Sequence, residues 1–186
     1  MIRSIVALVA ALVAACATAM AADLSGYIVL SVGRAAAAPC QTLEVGLGSA
    51  FGVRTARYSA GEPADFSGSD GEGTAIVLKV APGTWAVDRL AATGACQAVA
   101  GSRDPDVPPG WRLPLKFKIQ ARRAVYIGSF TAVATQSGGV HHWSIPGGGL
   151  VRLENRLGRD EPIARRKVQG LPVFSLTLVG PPGLVQ

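Results

Sequence analysis

The stretch Leu113-Pro114-Leu115-Lys116-Phe117-Lys118-Ile119-Gln120 decides the fold class. Successive side chains of a strand stand on opposite faces, so Leu113, Leu115, Phe117 and Ile119 share one face while Lys116, Lys118 and Gln120 share the other. That pattern belongs to a β-strand with one face in a core and one in water. Pro114 has no N–H to give to a ladder, which places the start of this strand at an edge or a bulge. Beyond an Arg122-Arg123 turn, residues 125–133 are expected to return as its partner strand.

Working outward, Leu43, Val45 and Leu47 alternate with Glu44 and Gly46 in the same way. Residues 27–32 are rich in β-branched and aromatic side chains, and the nearly continuous apolar run at 75–80 suits a strand covered on both faces. Residues 173–179 supply the last strand. Pro-Gly pairs begin at 82, 109, 146 and 182, where proline sets φ and glycine takes the positive φ of a type II turn. Their spacing is too uneven for a repeat. No stretch shows the i, i+3, i+4, i+7 spacing of a long amphipathic helix. One short helix is expected over 161–169, with Asp160 as its cap, Pro162 in its first turn, Arg165, Arg166 and Lys167 at its C-terminal end and Gly170 as its stop. The predicted architecture is all-β, a single antiparallel β-sandwich with one short helix near the C-terminus.

A chain of 186 residues with 49% hydrophobic and 16% charged residues excludes a disordered or highly charged tail protein. With 6% aromatics, its core must rest on Val, Leu, Ile and Ala, anchored by Trp85 and Tyr126. Residues 1–22 read as a secretion signal: Arg3, an apolar run over 5–15, then small residues. The run is too short to span a bilayer, which needs about 20 apolar residues. Two cleavage sites compete, before Cys16 in a lipobox-like Val13-Ala14-Ala15-Cys16, or after Ala21 in the A-x-A triplet Ala19-Met20-Ala21. The first makes Cys16 a lipidated N-terminus, and the second frees a soluble chain. Residues 23–186 then form one β-sandwich domain.

Either cleavage removes Cys16 from the fold and leaves Cys40 and Cys96, expected to form one disulfide in an oxidising compartment. The expected location is the periplasm or the periplasmic face of the outer membrane.

No nucleophile elbow, zinc-binding H-E-x-x-H, P-loop or dinucleotide-binding glycine fingerprint occurs. The histidines, His141 and His142, are adjacent, and on a strand they face opposite sides and cannot share a metal without a kinked backbone. They carry the alternative reading, a periplasmic hydrolase or metal-dependent enzyme. Asp65, Asp70 and Glu72 lack the spacing of a calcium loop and read as a solvated acidic segment. No catalytic residue, metal or cofactor is assigned, and the expected protein is not an enzyme.

Charge is distributed unevenly. Residues 23–111 hold six basic and nine acidic side chains, whereas residues 112–186 hold eleven basic and three acidic. Arg122, Arg123, Arg152, Arg156, Arg159, Arg165, Arg166 and Lys167 could present forked guanidinium groups and an ammonium to phosphates or carboxylates. The expected partner is an anionic envelope component or another envelope protein, not nucleic acid, with the membrane reached only through the N-terminal lipid.

Residues 80–87, Val-Ala-Pro-Gly-Thr-Trp-Ala-Val, followed by Ala124-Val125-Tyr126-Ile127-Gly128, resemble the paired strands of uncharacterised bacterial envelope proteins and lipoproteins with a prealbumin-like or carboxypeptidase-regulatory-like β-sandwich. In them a strand ends in a Pro-Gly turn before an aromatic-led strand, and a later strand carries Tyr-Ile-Gly. Residues 151–160, with Asn155-Arg156, are similar to the tail of such proteins, so the resemblance runs over about 75–167. Arg122-Arg123 departs from it by standing where a glycine turn is usual. The resemblance implies an envelope location and a non-catalytic, structural or interaction-mediating role.

Overall fold

The computed structural model describes residues 24–38, 40–94, 98–100, 113–133, 141–145 and 149–179, with the backbone alone for 98–100, 141–145 and 149. Cys16, Cys96 and the Pro-Gly pairs beginning at 109, 146 and 182 lie outside them. The chain is all-β with one short helix. In chain order the strands are β1 (Gly26–Arg34), β2 (Cys40–Ser49), β3 (Gly52–Ser59), β4 (Phe66–Gly68), β5 (Gly71–Val80), β6 (Gly83–Gly94), β7 (Ala98–Ala100), β8 (Leu115–Ile119), β9 (Ala124–Val133), β10 (His141–Ile145), β11 (Gly149–Glu154) and β12 (Phe174–Leu176). The helix α1 (Leu157–Lys167) precedes β12.

Two sheets form the sandwich. The first runs β10-β11-β9-β1-β5-β4, with β12 also on β9; the second runs β3-β2-β6-β7, with β8 also on β6. Most ladders are antiparallel as expected, while β1 and β12 both pair with β9 in parallel. Between the sheets, Ile28, Leu30, Val32, Ile127 and Phe130 meet Leu43, Leu47, Trp85, Val87 and Ile119, all buried. Burying each of these large side chains contributes about 1.5–3 kcal/mol, which is why alternation in the sequence specified the layers so clearly. Of the four Pro-Gly pairs, Pro82-Gly83 is described; it joins β5 to β6 with Gly83 at φ 141°.

Residues 125–133 do not pair with β8. The chain crosses from one sheet to the other at the Arg122-Arg123 turn, leaving β8 on β6 and placing β9 in the middle of the first sheet. All ten residues of β9 are buried, so the strand needs cover on both faces, and a partner with one wet face cannot give it that. The second cover is α1. Val29, Tyr126 and Ala124 on the outer face of the first sheet pack with Ala164 and Leu171, forming a smaller apolar layer outside the sandwich. The run at 75–80 divides in the same way, with Ile76 and Leu78 toward the core and Val77 toward the helix.

Within β9 the pairing with β1 steps from Val29↔Tyr126 to Leu30↔Gly128, leaving Ile127 as the extra residue of a bulge. The bulge changes which parity faces out: Val125 and Ile127 enter the core, then Phe130 and Ala132. Tyr126 and Ser129 consequently both serve the helix-covered face. Gly128 sits at φ 126°, a backbone conformation that L side chains rarely adopt, so a substitution there is strained.

Candidate functional site

The helix starts four residues earlier than expected, and Asp160 is not its cap. Arg156 occupies that position without a side-chain cap bond, and Asn155 Oδ1 accepts from Leu157 N instead. Asp160 lies one turn inside, fully buried against the sheet. Its Oδ2 accepts from Ser31 Oγ at 2.6 Å and from Tyr126 Oη at 2.7 Å, and its Oδ1 accepts from Arg159 Nε at 2.8 Å. Arg159 Nη2 also donates to Ser31 Oγ at 3.0 Å and to Ser129 Oγ at 3.1 Å. The Tyr126 hydroxyl in turn accepts from Arg156 N at 3.2 Å. The guanidinium of Arg159 lies 3.5 Å above the centre of the Phe66 ring, a cation–π contact. Burial, and then the Asp160 carboxylate, push the Tyr126 phenol well above its ordinary value, so it stays a proton donor. With each of its hydroxyls hydrogen-bonded, the cluster pins α1 to β1 and β9.

Beside this cluster a cleft of about 20 Å³ opens between Arg34, Arg152, Arg156 and Arg159 on one hand and Asp70, Glu72 and Glu154 on the other. That space suits one or two water molecules. Arg34 Nε donates to Glu72 Oε1 at 2.8 Å, and Arg156 Nε donates to Glu154 Oε2 at 3.2 Å. Arg152 Nε lies 3.4 Å from the same Glu154 oxygen without a hydrogen bond. Each guanidinium in the cleft thus faces a carboxylate, and an entering anion would have to compete with it.

The acidic segment is bound up in similar pairs. Lys167 Nζ sits 2.5 Å from Asp65 Oδ2 and donates to Ala75 O at 2.8 Å, fastening the end of α1 to β5. Burial alone would raise the Asp65 pKa, but hydrogen bonds from Lys167, Thr74 and Ala75 N outweigh it and bring the value below 3.8. Glu72 is lowered from 4.5, chiefly by Arg34. A carboxyl whose folded pKa is depressed contributes stability above its unfolded value and loses it as pH falls through the folded one. Stability should therefore decline as pH drops below about 4.5 and further below 3.8. In urea titrations between pH 7 and pH 3, Lys167→Met should flatten this decline; an acid limb as steep as the parent's would refute the Asp65 assignment.

The eight basic residues singled out in the sequence do not form one face. Arg152, Arg156 and Arg159 line the cleft, Arg165 pairs with Glu161 at 2.7 Å, and Lys167 pairs with Asp65. Arg122, Arg123 and Arg166 are exposed and have no ion pair among the described residues. Arg122 and Arg123 form the β8–β9 turn, where Arg122 takes φ 56°. His141 and His142 occupy successive register positions on β10, opposite Leu153 and Arg152. Among the described residues no three His, Cys, Asp or Glu side chains are grouped to hold a metal. Cys40 is buried at the start of β2, opposite Gly94 of β6.

Sequence reasoning missed Ser31, Arg34 and the role of Asp160. Ser31 carried a signal, being the one polar residue in the apolar run of β1, and a serine there needs a buried partner. No family model, curated protein or solved structure matches the chain.

Proposed function

We propose that this chain is a secreted, non-catalytic envelope protein, structural or interaction-mediating, that contacts an anionic partner in the periplasm or at the periplasmic face of the outer membrane. The observation that carries the reading is the division of its arginines. Five of the eight basic residues are neutralised within the fold, while Arg122 and Arg123 stand exposed on a turn between the two sheets with no carboxylate partner among the described residues. An exposed pair of guanidinium groups offers forked donors to phosphate or carboxylate oxygens. The secretion signal, with Cys16 lipidated or removed, and a Cys40–Cys96 bridge belong to the same reading. So does the envelope β-sandwich family that residues 80–87 and 124–128 resemble. The register supports the bridge, because the strand partner of Cys40 lies two residues before Cys96.

Heparin chromatography of the purified chain tests the anionic contact. The parent should be retained and released by salt, and Arg122→Gln with Arg123→Gln should elute at clearly lower salt. Unchanged elution of that double variant, or elution independent of salt, would overturn the reading.

A further inference from the structure

Among the described residues, four of the five large exposed apolar side chains gather at one end of the sandwich. Phe51 is 65% exposed, Val53 66%, Leu24 61% and Val173 68%. Local bonds place them together. The apex of the β2–β3 hairpin is the two-residue loop Ala50-Phe51, since Ser49 pairs directly with Gly52. Ser49 Oγ accepts from Phe51 N at 3.1 Å, which holds the apex in shape. The Phe51 ring leans on Gly83, and Gly83 pairs with Ile119 at the end of β8. The turn after β8 is tied to the start of the fold by Arg122 N donating to Ser25 O at 2.9 Å and Tyr27 N donating to Arg123 O at 2.9 Å. Val173 joins them because its carbonyl accepts from Ala124 N at 3.4 Å.

The same end carries the exposed cations Arg122 and Arg123, with exposed Lys118 opposite Thr84 and exposed Arg54 next to Val53. Apolar and cationic side chains are therefore interleaved rather than segregated. Protein–protein interfaces are enriched in arginine but depleted of lysine, so exposed Lys118 beside these apolar side chains fits such an interface poorly. A bilayer surface favours this arrangement: single apolar side chains enter the acyl boundary while neighbouring lysines and arginines reach the phosphates. The chain also enters the fold at this end, and Leu24 follows Cys16 by eight positions, a reach of at most about 29 Å.

We propose that this end docks on an anionic lipid surface, with Phe51 and Val53 inserted and Arg122 and Arg123 on the headgroup phosphates. The inference rests on the anionic-partner reading above and names the partner. It is tested by sedimentation with vesicles, using the unacylated chain left by cleavage after Ala21. The chain should bind vesicles of phosphatidylcholine with roughly one-third phosphatidylglycerol, lose binding as salt is raised, and ignore pure phosphatidylcholine. Arg122→Gln with Arg123→Gln should weaken partitioning about thirtyfold, on the basis of roughly fivefold per cation. Phe51→Ser with Val53→Ser should weaken it about tenfold, and because both side chains are exposed the variant should melt like the parent.

Three outcomes would overturn the lipid assignment. If heparin retains the parent while anionic vesicles do not, the anionic reading survives without the membrane. If Phe51→Ser with Val53→Ser partitions like the parent, the apolar tip does not insert. If vesicle binding is absent but crosslinking in cells joins this end to an envelope protein, and the tip variant loses that crosslink, the surface is a protein contact. Failure on heparin and vesicles alike would remove both readings.

Discussion

Replacing Arg159 by leucine is expected to cost about 3 kcal/mol of folding stability, the lower end of what breaking a buried ion pair costs. Asp160 is fully buried, and it is the group left uncompensated when the guanidinium goes. The lower end applies because the Arg159 side chain itself is 32% exposed, so water already screens part of the pair. The same substitution strips a donor from Ser31 and Ser129 and removes the cation above Phe66. Restoring neutrality should recover part of the loss: in Arg159→Leu combined with Asp160→Asn, no bare charge remains beneath α1. Urea unfolding of the two variants and the parent measures this directly. A loss below about 1 kcal/mol for Arg159→Leu would mean the cluster does not secure the helix.

An effect of similar size is expected at the proposed Cys40–Cys96 bridge. Replacing both cysteines by alanine should cost about 4 kcal/mol, since closing a loop of 56 positions removes that much chain entropy from the unfolded state. The loss should appear as a lower urea midpoint, and reductant should reproduce it in the parent while leaving the double variant unchanged. Thiol labelling in denaturant without reductant is the independent check. Modification of both cysteines in the unreduced chain would disprove the bridge.

Most of the sandwich was legible because its determinants are local and periodic. Leu115, Phe117 and Ile119 are buried while Lys116 and Lys118 are exposed, as the alternation around them requires. Leu43, Val45 and Leu47 on β2 behave likewise. The partner of β8 was not legible, because strand pairing is settled by which faces can be covered and not by proximity in the chain. Residues 124–133 form an unbroken buried run, and the bulge at Ile127 inside it re-aims Ser129 outward. Asp160 was misread for a related reason. An acid just ahead of a helical pattern suits a cap, and only the arrival of Ser31 and Tyr126 from two other strands makes it worth burying.

The charge reading changed most. Residues 112–186 are strongly basic as a composition, yet a composition does not say which arginine meets which carboxylate. Arg34 finds Glu72 from 38 positions away, and Lys167 is held against Asp65 and Ala75, across nearly a hundred residues. What the amino-acid sequence determined by itself was the all-β class and the presence of one short helix, since a period of two or 3.6 residues is imposed by the backbone wherever the chain goes. What only the tertiary structure decided was which charges were paired inside the fold and which were left exposed. Ion pairing depends on distances of a few ångströms between residues far apart in the chain, and those distances exist only after the sheets have packed.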